Sequence, residues 1–259
     1  MLTSLQNPLV KQIRKLHSSK QRRDQGLLLF EGTHLIAEAC AISYPLVTVF
    51  CTPEWQSLHQ QLWQKACQQA ERVEIVSPEV LKAIATTVQP DGVVATAKRS
   101  SSQSKMPEGG LGLALETVQD PGNLGTIIRT AAAAGAGGLW LSADSVDLDN
   151  PKVLRASAGQ WFRLPMAVSV DLKTTVRECQ QAGMQVVATL PSASLTYWEV
   201  DWRRPTLILL GNEGAGLSAE LAALADLQVR IPLSGVESLN VAIVAALMLY
   251  EAQRQKCFK

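Results

Sequence analysis

No apolar run in this chain reaches the ~20 residues that a membrane-spanning helix needs. The longest, Leu239 to Tyr250, is too short. The start, MLTSLQNPLVKQIRKL, has neither the apolar core nor the small-residue cleavage site of a secretory signal, so a cytoplasmic protein is expected. The five cysteines, Cys40, Cys51, Cys67, Cys179 and Cys257, are scattered, odd in number and free of any C-x-x-C pair. That pattern argues against both a disulfide framework and a zinc site. With His17, His34 and His59 equally dispersed, no metal is expected. Nothing repeats at a fixed period, which excludes a solenoid. The run from Gly211 to Gly216, GNEGAG, has neither the G-x-x-x-x-G-K-[ST] pattern nor the G-x-G-x-x-G order, so phosphate-loop and dinucleotide readings fail.

The net charge of +1 by itself predicts no polyanionic partner, but its distribution is uneven. Residues 1–26 carry Lys11, Arg14, Lys15, Lys20, Arg22 and Arg23 against Asp24 alone. Such an arm can supply phosphate contacts in a protein that is neutral as a whole; the alternative is a solvated helix face. The length suits two ordinary domains, each able to bury a core. The small, polar and Pro/Gly composition between Arg99 and Gly110 reads as a linker and divides the chain into 1–105 and 106–259. Before it, LLLFEG, LVTVFC, VEIV and GVVATAK read as strands, with helices over HLIAEACA, WQSLHQQLWQKACQQA and SPEVLKAIATT. After it the strands are GLALETV, GGLWLS, LPMAV, MQVVATL, TLILLG and LQVRIP, again with helices between them. Both units are therefore α/β layer structures. Near-continuous apolar strands such as TLILL suit a parallel, doubly wound sheet covered on both faces.

Chemistry concentrates in three segments of the second unit. IPLSGVESLNVAIVAALMLYE at 231–251 runs from a strand end through a polar turn into a nearly apolar helix, where Ser238 and Asn240 sit at cap and first-turn positions. LILLGNEGAGLS at 207–218 is a strand followed by a Gly-rich turn that allows close backbone approach at a strand's carboxyl end. ETVQDPGNLGTIIRTAAAAG at 116–135 places Asn123 near a helix start, and Arg129 interrupts a small, apolar run. A guanidinium on such a face calls for a partner or a ligand, and Glu213 is the obvious protein partner. In purely structural terms Asn123 and Ser238 are good N-caps.

These three ordered segments, with the connecting VDLDNPKVLRASAGQWFRLP at 146–165, resemble the motifs of the SpoU (TrmH-type) RNA ribose methyltransferases of the SPOUT class. The N-terminal part, with its basic arm and Phe30-Glu31-Gly32, resembles the small ribosomal-protein-like α/β domain with which many of these enzymes bind substrate. The resemblance implies a deep trefoil knot in the C-terminal domain, which general topology rules would not suggest. It implies S-adenosylmethionine as cofactor, held bent by Gly211, Ile231 and Leu239, with Thr189 and Leu190 as further contacts. It implies structured RNA as substrate, ribosomal before transfer RNA, gripped through Lys11, Arg14, Lys15, Lys20, Arg22 and Arg23, and a homodimer joined through the knotted domain. Matching positions assign the catalytic set to Arg129, Asn123, Glu213, Ser238 and Asn240, with Arg129 acting on the ribose 2′-hydroxyl. A guanidinium is a poor base at neutral pH, so Arg129 is either tuned by a substrate phosphate and Glu213 or stabilises the forming alkoxide. A competing class is an RNA-binding or ribosome-assembly protein without turnover, against which the complete residue set speaks. A base methyltransferase would call for a different acid/base set.

Overall fold

Helix starts in this chain are written as a capping residue followed by proline. Asn7, Thr52, Ser77, Asp120 and Asn150 each accept a hydrogen bond from a first-turn N–H, and the proline that follows suits the first helical position through its fixed φ and missing donor. The computed structural model describes residues 1–99 and 109–257. The first 99 residues form α1 (Pro8–Lys15), α2 (Ser19–Gln25), β1 (Leu27–Glu31), α3 (Thr33–Ala41), β2 (Leu46–Cys51), α4 (Pro53–Leu58), α5 (Gln60–Gln69), β3 (Ala70–Ile75), α6 (Pro78–Ile84) and β4 (Val93–Lys98). Then follow β5 (Leu111–Leu115), α7 (Pro121–Ala133), β6 (Gly138–Ser142), α8 (Pro151–Ala156), β7 (Met166–Ser169), α9 (Leu172–Gln181), β8 (Gln185–Thr189), β9 (Leu195–Thr196), β10 (Thr206–Leu210), α10 (Ala219–Ala222), β11 (Leu227–Arg230) and α11 (Val241–Cys257). The boundary expected after residue 105, and most of the linker read between Arg99 and Gly110, lie outside the described residues. The helix expected over 55–70 is two helices, because His59 leaves helical geometry at φ −121°, ψ 42°.

The described residues divide into two compact units, 1–99 with 147–162, and 109–146 with 163–257. The first is built on a four-stranded mixed sheet in the order β1-β4-β2-β3, with only β2 and β3 parallel. Side chains alternate across it as strand geometry requires. Leu28 and Phe30 pack with Leu35, Ile36 and Ala39 of α3, whereas Leu29 packs with Val10 and Ile13 of α1 and Val80 and Leu81 of α6. Residues 147–162 complete this unit. The Phe162 ring meets Phe30 edge-on at 5.3 Å and Trp161 meets it at 6.4 Å. Glu31, buried at the end of β1, accepts from the Thr86 hydroxyl at 2.6 Å and pairs with Arg155 of α8 at 2.9 Å.

Arg22 departs from the expected RNA-contacting role, because it is 1% exposed. Its guanidinium reaches Asp147 at 3.2 Å and Asp149 at 3.4 Å, and donates to the carbonyl oxygens of Leu16 and His17. A buried guanidinium is tolerated only with such partners, and Asp149 pairs with Arg99 as well, at 2.7 Å. Lys11, Arg14, Lys15, Lys20 and Arg23 are exposed.

The second unit holds a seven-stranded sheet in the order β7-β6-β5-β10-β8-β11-β9, parallel at every pairing. This is the parallel sheet that the apolar strands predicted, with the two-residue β9 as an unforeseen edge. On one face Leu207 and Leu209 of β10 and Val186 and Ala188 of β8 pack with Val176 and Cys179 of α9. All five residues of β10 are buried. Among the described residues no helix is long and apolar enough to cross a membrane.

Replacing Arg22 by Met removes one of the two cations on buried Asp149, Arg99 at 2.7 Å being the other, and leaves the Leu16 carbonyl without its donor; unfolding in denaturant is expected to show a loss of about 2–3 kcal/mol. Arg23→Met, which breaks a solvent-exposed pair, is expected to change stability by less than about 1 kcal/mol. Equal effects of the two substitutions would contradict this account of Arg22.

Candidate functional site

The strand-ending turn after β10 is closed on itself. Asn212 N–H donates to the Gly216 carbonyl and Gly216 N–H donates to the Asn212 carbonyl, each at 2.9 Å. The Asn212 side chain braces the interior, its Oδ1 accepting from the N–H groups of Gly214 and Ala215, both at 2.9 Å. Gly211 is obligatory there, since a Cβ would lie 2.1 Å from the Gly216 carbonyl carbon. The effect of this fold-back is to present Glu213 toward the start of α7.

Glu213 joins this turn to the start of α7. Its Oε2 accepts from Gln119 N–H at 3.2 Å, and its Oε1 accepts from Asp120 N–H at 3.1 Å and from Asn123 Nδ2 at 3.1 Å. Burial acts to raise the Glu213 pKa, but the Asn123 amide and the backbone groups of Glu213, Asp120 and Gln119 outweigh it and hold the carboxyl below its ordinary value. The Asn123 carbonyl oxygen accepts from Asn240 Nδ2 at 2.8 Å, and Asn240 Oδ1 accepts from Ala242 N–H at 2.9 Å. Each amide in this line therefore has one orientation: the α11 start donates to Asn240, Asn240 to Asn123, and Asn123 to the carboxylate.

These contacts dispose of the purely structural alternative of N-caps at Asn123 and Ser238. Asp120, not Asn123, is the N-cap of α7, its Oδ1 accepting from Asn123 N–H at 2.8 Å, which leaves the Asn123 side chain available to Glu213. The Asp-Pro pair at 120–121 was the signal for this. At α11 the cap-like bond belongs to Asn240, while Ser238 is exposed on the turn before it. The expected Arg129–Glu213 pair is absent among the described residues. Leu124, Ile127, Ile128 and Ala131 fill the buried face of α7, and the exposed Arg129 has no side-chain hydrogen bond or ion pair among the described residues. Exposure removes the desolvation argument for a protein partner.

Beside this network lies a cavity of about 320 Å³ at the carboxyl ends of β8, β10 and β11. Thr189, Leu190, Gly211, Ile231 and Leu239 all line it, as do Glu213 and Ser238. Sequence reading had not picked out Asn212, Arg230 and Glu237, which line it too. Asn212 carried a signal in its turn chemistry, as Asn within a Gly-rich run. Nothing local marked the other two. Among the described residues no group of three or more His, Cys, Asp or Glu is placed to hold a metal ion.

A parallel sheet that opens a pocket at its strand ends is the architecture of an α/β ligand-binding domain. The chain belongs to the SpoU rRNA Methylase family, whose model matches residues 110–250. Residues 7–95 match the MRM3-like substrate binding domain. Over 98% of the chain and 94% of the relative, it is 49% identical to an uncharacterized tRNA/rRNA methyltransferase of Synechocystis sp.. It is 33% identical to the 23S rRNA (guanosine(2553)-2'-O)-methyltransferase RlmP of Bacillus subtilis, over 96% of the chain and 97% of that protein. The crystal structure of an AdoMet-bound rRNA methyltransferase from Sinorhizobium meliloti covers all of this chain with 98% of its own, at TM-score 0.87 and 36% identity.

Glu213→Gln sets an NH₂ group among three N–H donors. Its unfolding midpoint is expected to fall below that of the wild type at pH 7. The folded-state pKa of Glu213 lies below the unfolded value of about 4.3. Its stabilisation is thus complete above the unfolded pKa and lost as pH falls through the folded one. The gap between the two proteins should therefore close on acidification; a gap that persists in strong acid would refute the charged-acceptor role.

Proposed function

We propose that this chain transfers the methyl group of S-adenosylmethionine to a ribose 2′-hydroxyl of ribosomal RNA. The observation that carries the reading is the juxtaposition of the cavity with the Glu213–Asn123–Asn240 line at its rim. The cavity fits the cofactor's chemistry. Leu210, Ile231, Leu239 and Val241 offer apolar walls for a flat purine, strand-end main chain offers groups to read its edge, and Glu213 and Glu237 bring negative charge to a ligand with a cationic sulfonium. When bound, the cofactor supplies an electrophilic methyl group on a good leaving group. What the protein must add is mainly alignment, which can contribute ~7 kcal/mol or more.

Asn123 and Asn240 hold fixed amide directions, and Ser238 offers a hydroxyl at the pocket mouth. Of the two roles open to Arg129, the lack of a Glu213 contact favours the second, a permanent cation that stabilises the forming alkoxide while solvent or a substrate phosphate takes the proton. Lys11, Arg14, Lys15, Lys20 and Arg23 supply phosphate contacts that set affinity rather than sequence choice. The match to the substrate binding domain and the 23S rRNA relative support ribosomal over transfer RNA, which agrees with work in the cytoplasm. The reading also carries a trefoil knot in the C-terminal domain, in keeping with β10 lying between β5 and β8 and with α11 returning to pack on α7 and β10.

The same reading includes a homodimer. Ile243 and Tyr250 are each 49% exposed on α11 and border a shallow apolar groove with Ala246 and Leu247. Sedimentation equilibrium is expected to give twice the chain mass for the wild type and a monomer for an Ile243→Glu, Tyr250→Glu double variant; a monomeric wild type would remove this part of the proposal.

Labelled S-adenosylmethionine and ribosomal RNA from a strain lacking the gene test the main reading. Label is expected on a ribose 2′-oxygen, with Arg129→Ala slower by about 10²–10³-fold and cofactor affinity retained. Cofactor binding without any transfer would instead favour a non-catalytic RNA-binding protein, and labelled base would move the reaction class.

A further inference from the structure

The loop that gives Glu213 its two backbone donors is held in a conformation its sequence does not favour. Thr117 has φ 54°, in the left-handed region that β-branched residues rarely adopt. Strain of this kind persists only where the surroundings over-determine it, and here every polar group of Thr117 is engaged. Its N–H donates to Ser142 Oγ at 2.8 Å, its hydroxyl donates to Asp144 Oδ2 at 2.8 Å, and its carbonyl accepts from Asn212 Nδ2 at 2.8 Å. The ties continue along the loop. Val118 N–H donates to Ser145 Oγ at 3.0 Å, and Gln119 Nε2 donates to the Asp144 carbonyl at 2.9 Å.

One acceptor sets the direction of all these hydroxyls. Ser142 Oγ lies 2.6 Å from Asp144 Oδ1 and gives that carboxylate its only proton, so its lone pairs receive Thr117 N–H and the Ser145 hydroxyl at 2.9 Å. Ser145, having given its proton to Ser142, is left with lone pairs for Val118 N–H. The Ser142 and Thr117 hydroxyls in turn hold the Asp144 carboxyl below its ordinary pKa, which keeps it an acceptor at neutral pH. The next two residues, Gln119 and Asp120, direct their N–H groups to Glu213, and Asp120 caps the helix that carries Asn123 and Arg129.

We propose that Asp144, acting through Ser142 and Thr117, is a positioning residue for methyl transfer: it fixes the 117–120 turn so that two backbone donors converge on Glu213 and the Asn123 amide faces Asn240. The inference rests on the methyltransferase reading. Asp144 touches neither the cavity nor the catalytic set, so its effect is on alignment and not on cofactor binding.

The test compares wild type, Asp144→Ala and Asp144→Asn, each shown to be folded by its thermal transition. Amide hydrogen exchange at Gln119 and Asp120 reads the geometry without any turnover. Exchange is expected to be about tenfold faster in Asp144→Ala. It should be close to wild type in Asp144→Asn, whose amide can still accept from Ser142 and donate to Thr117. In methyl transfer, Asp144→Ala is expected to lower kcat by about tenfold or more with cofactor affinity unchanged, and Asp144→Asn to restore most of it. Unchanged exchange in Asp144→Ala overturns the inference whatever the wild type catalyses. Faster exchange with an unaltered kcat in an active enzyme overturns the catalytic part. Faster exchange in a protein whose wild type transfers nothing supports the positioning of Glu213 and removes the methyltransferase reading instead. If Asp144→Ala does not fold, Thr117→Val, which keeps the β-branched shape and the backbone bonds but drops the Asp144 bond, is read in the same way.

Discussion

A single carboxylate with three N–H donors ties the second unit of this protein together. β5 and β10 are neighbours in register, Leu115 opposite Leu210, and each ends in a turn at the same edge of the sheet. Glu213 on one turn takes the N–H groups of Gln119 and Asp120 and the Asn123 amide on the other. Each bond is exposed and singly modest, about 1 kcal/mol by the usual scale. Their value lies in being shared, since loss of the one acceptor releases all three donors together. The Asn123–Asn240 bond extends the same constraint to the start of α11, so that both walls of the cavity are referred to one point.

The two units use charge in opposite ways. In the first, Arg22 is withdrawn from solvent to join α2 to Asp147 and Asp149, a structural use in which the cation is useful only because it is paired. In the second, Arg129 stands exposed and unpaired among the described residues, where a cation is free to meet an anion that the protein does not itself supply. A guanidinium already neutralised by Glu213 would serve an incoming phosphate or alkoxide poorly. The arrangement that first looked like a missing salt bridge is thus consistent with function.

Much of this was legible in the chain. The parallel sheet followed from runs such as TLILL, and the pocket from three strand–turn–helix segments whose spacing survives in the fold. What failed did so for identifiable reasons. The structural alternative for Asn123, an N-cap, rested on the preference of Asn for that place, yet the Asp120-Pro121 pair outranked it. Arg22 looked like one more member of a basic arm, and only its distance of more than 120 residues from Asp147 and Asp149 in the chain concealed its pairing. Arg129 was assigned a buried face because its neighbours are small and apolar, but helical periodicity turned it outward while Ile127 and Ile128 faced in. The strain at Thr117 and its tie to Asp144 left no mark in local sequence, since a threonine at positive φ is what propensity argues against.

The account rests on the cavity at the ends of β8, β10 and β11 being the cofactor site, with its rim already arranged by Glu213. Crystallography of the protein with S-adenosylhomocysteine tests this most directly. The account predicts the purine between the Leu210–Gly211 and Ile231–Leu239 walls, with the Glu213–Asn123–Asn240 bonds unchanged. Density for the ligand anywhere else on the chain, or a rim that must rebuild those bonds to admit it, would contradict it.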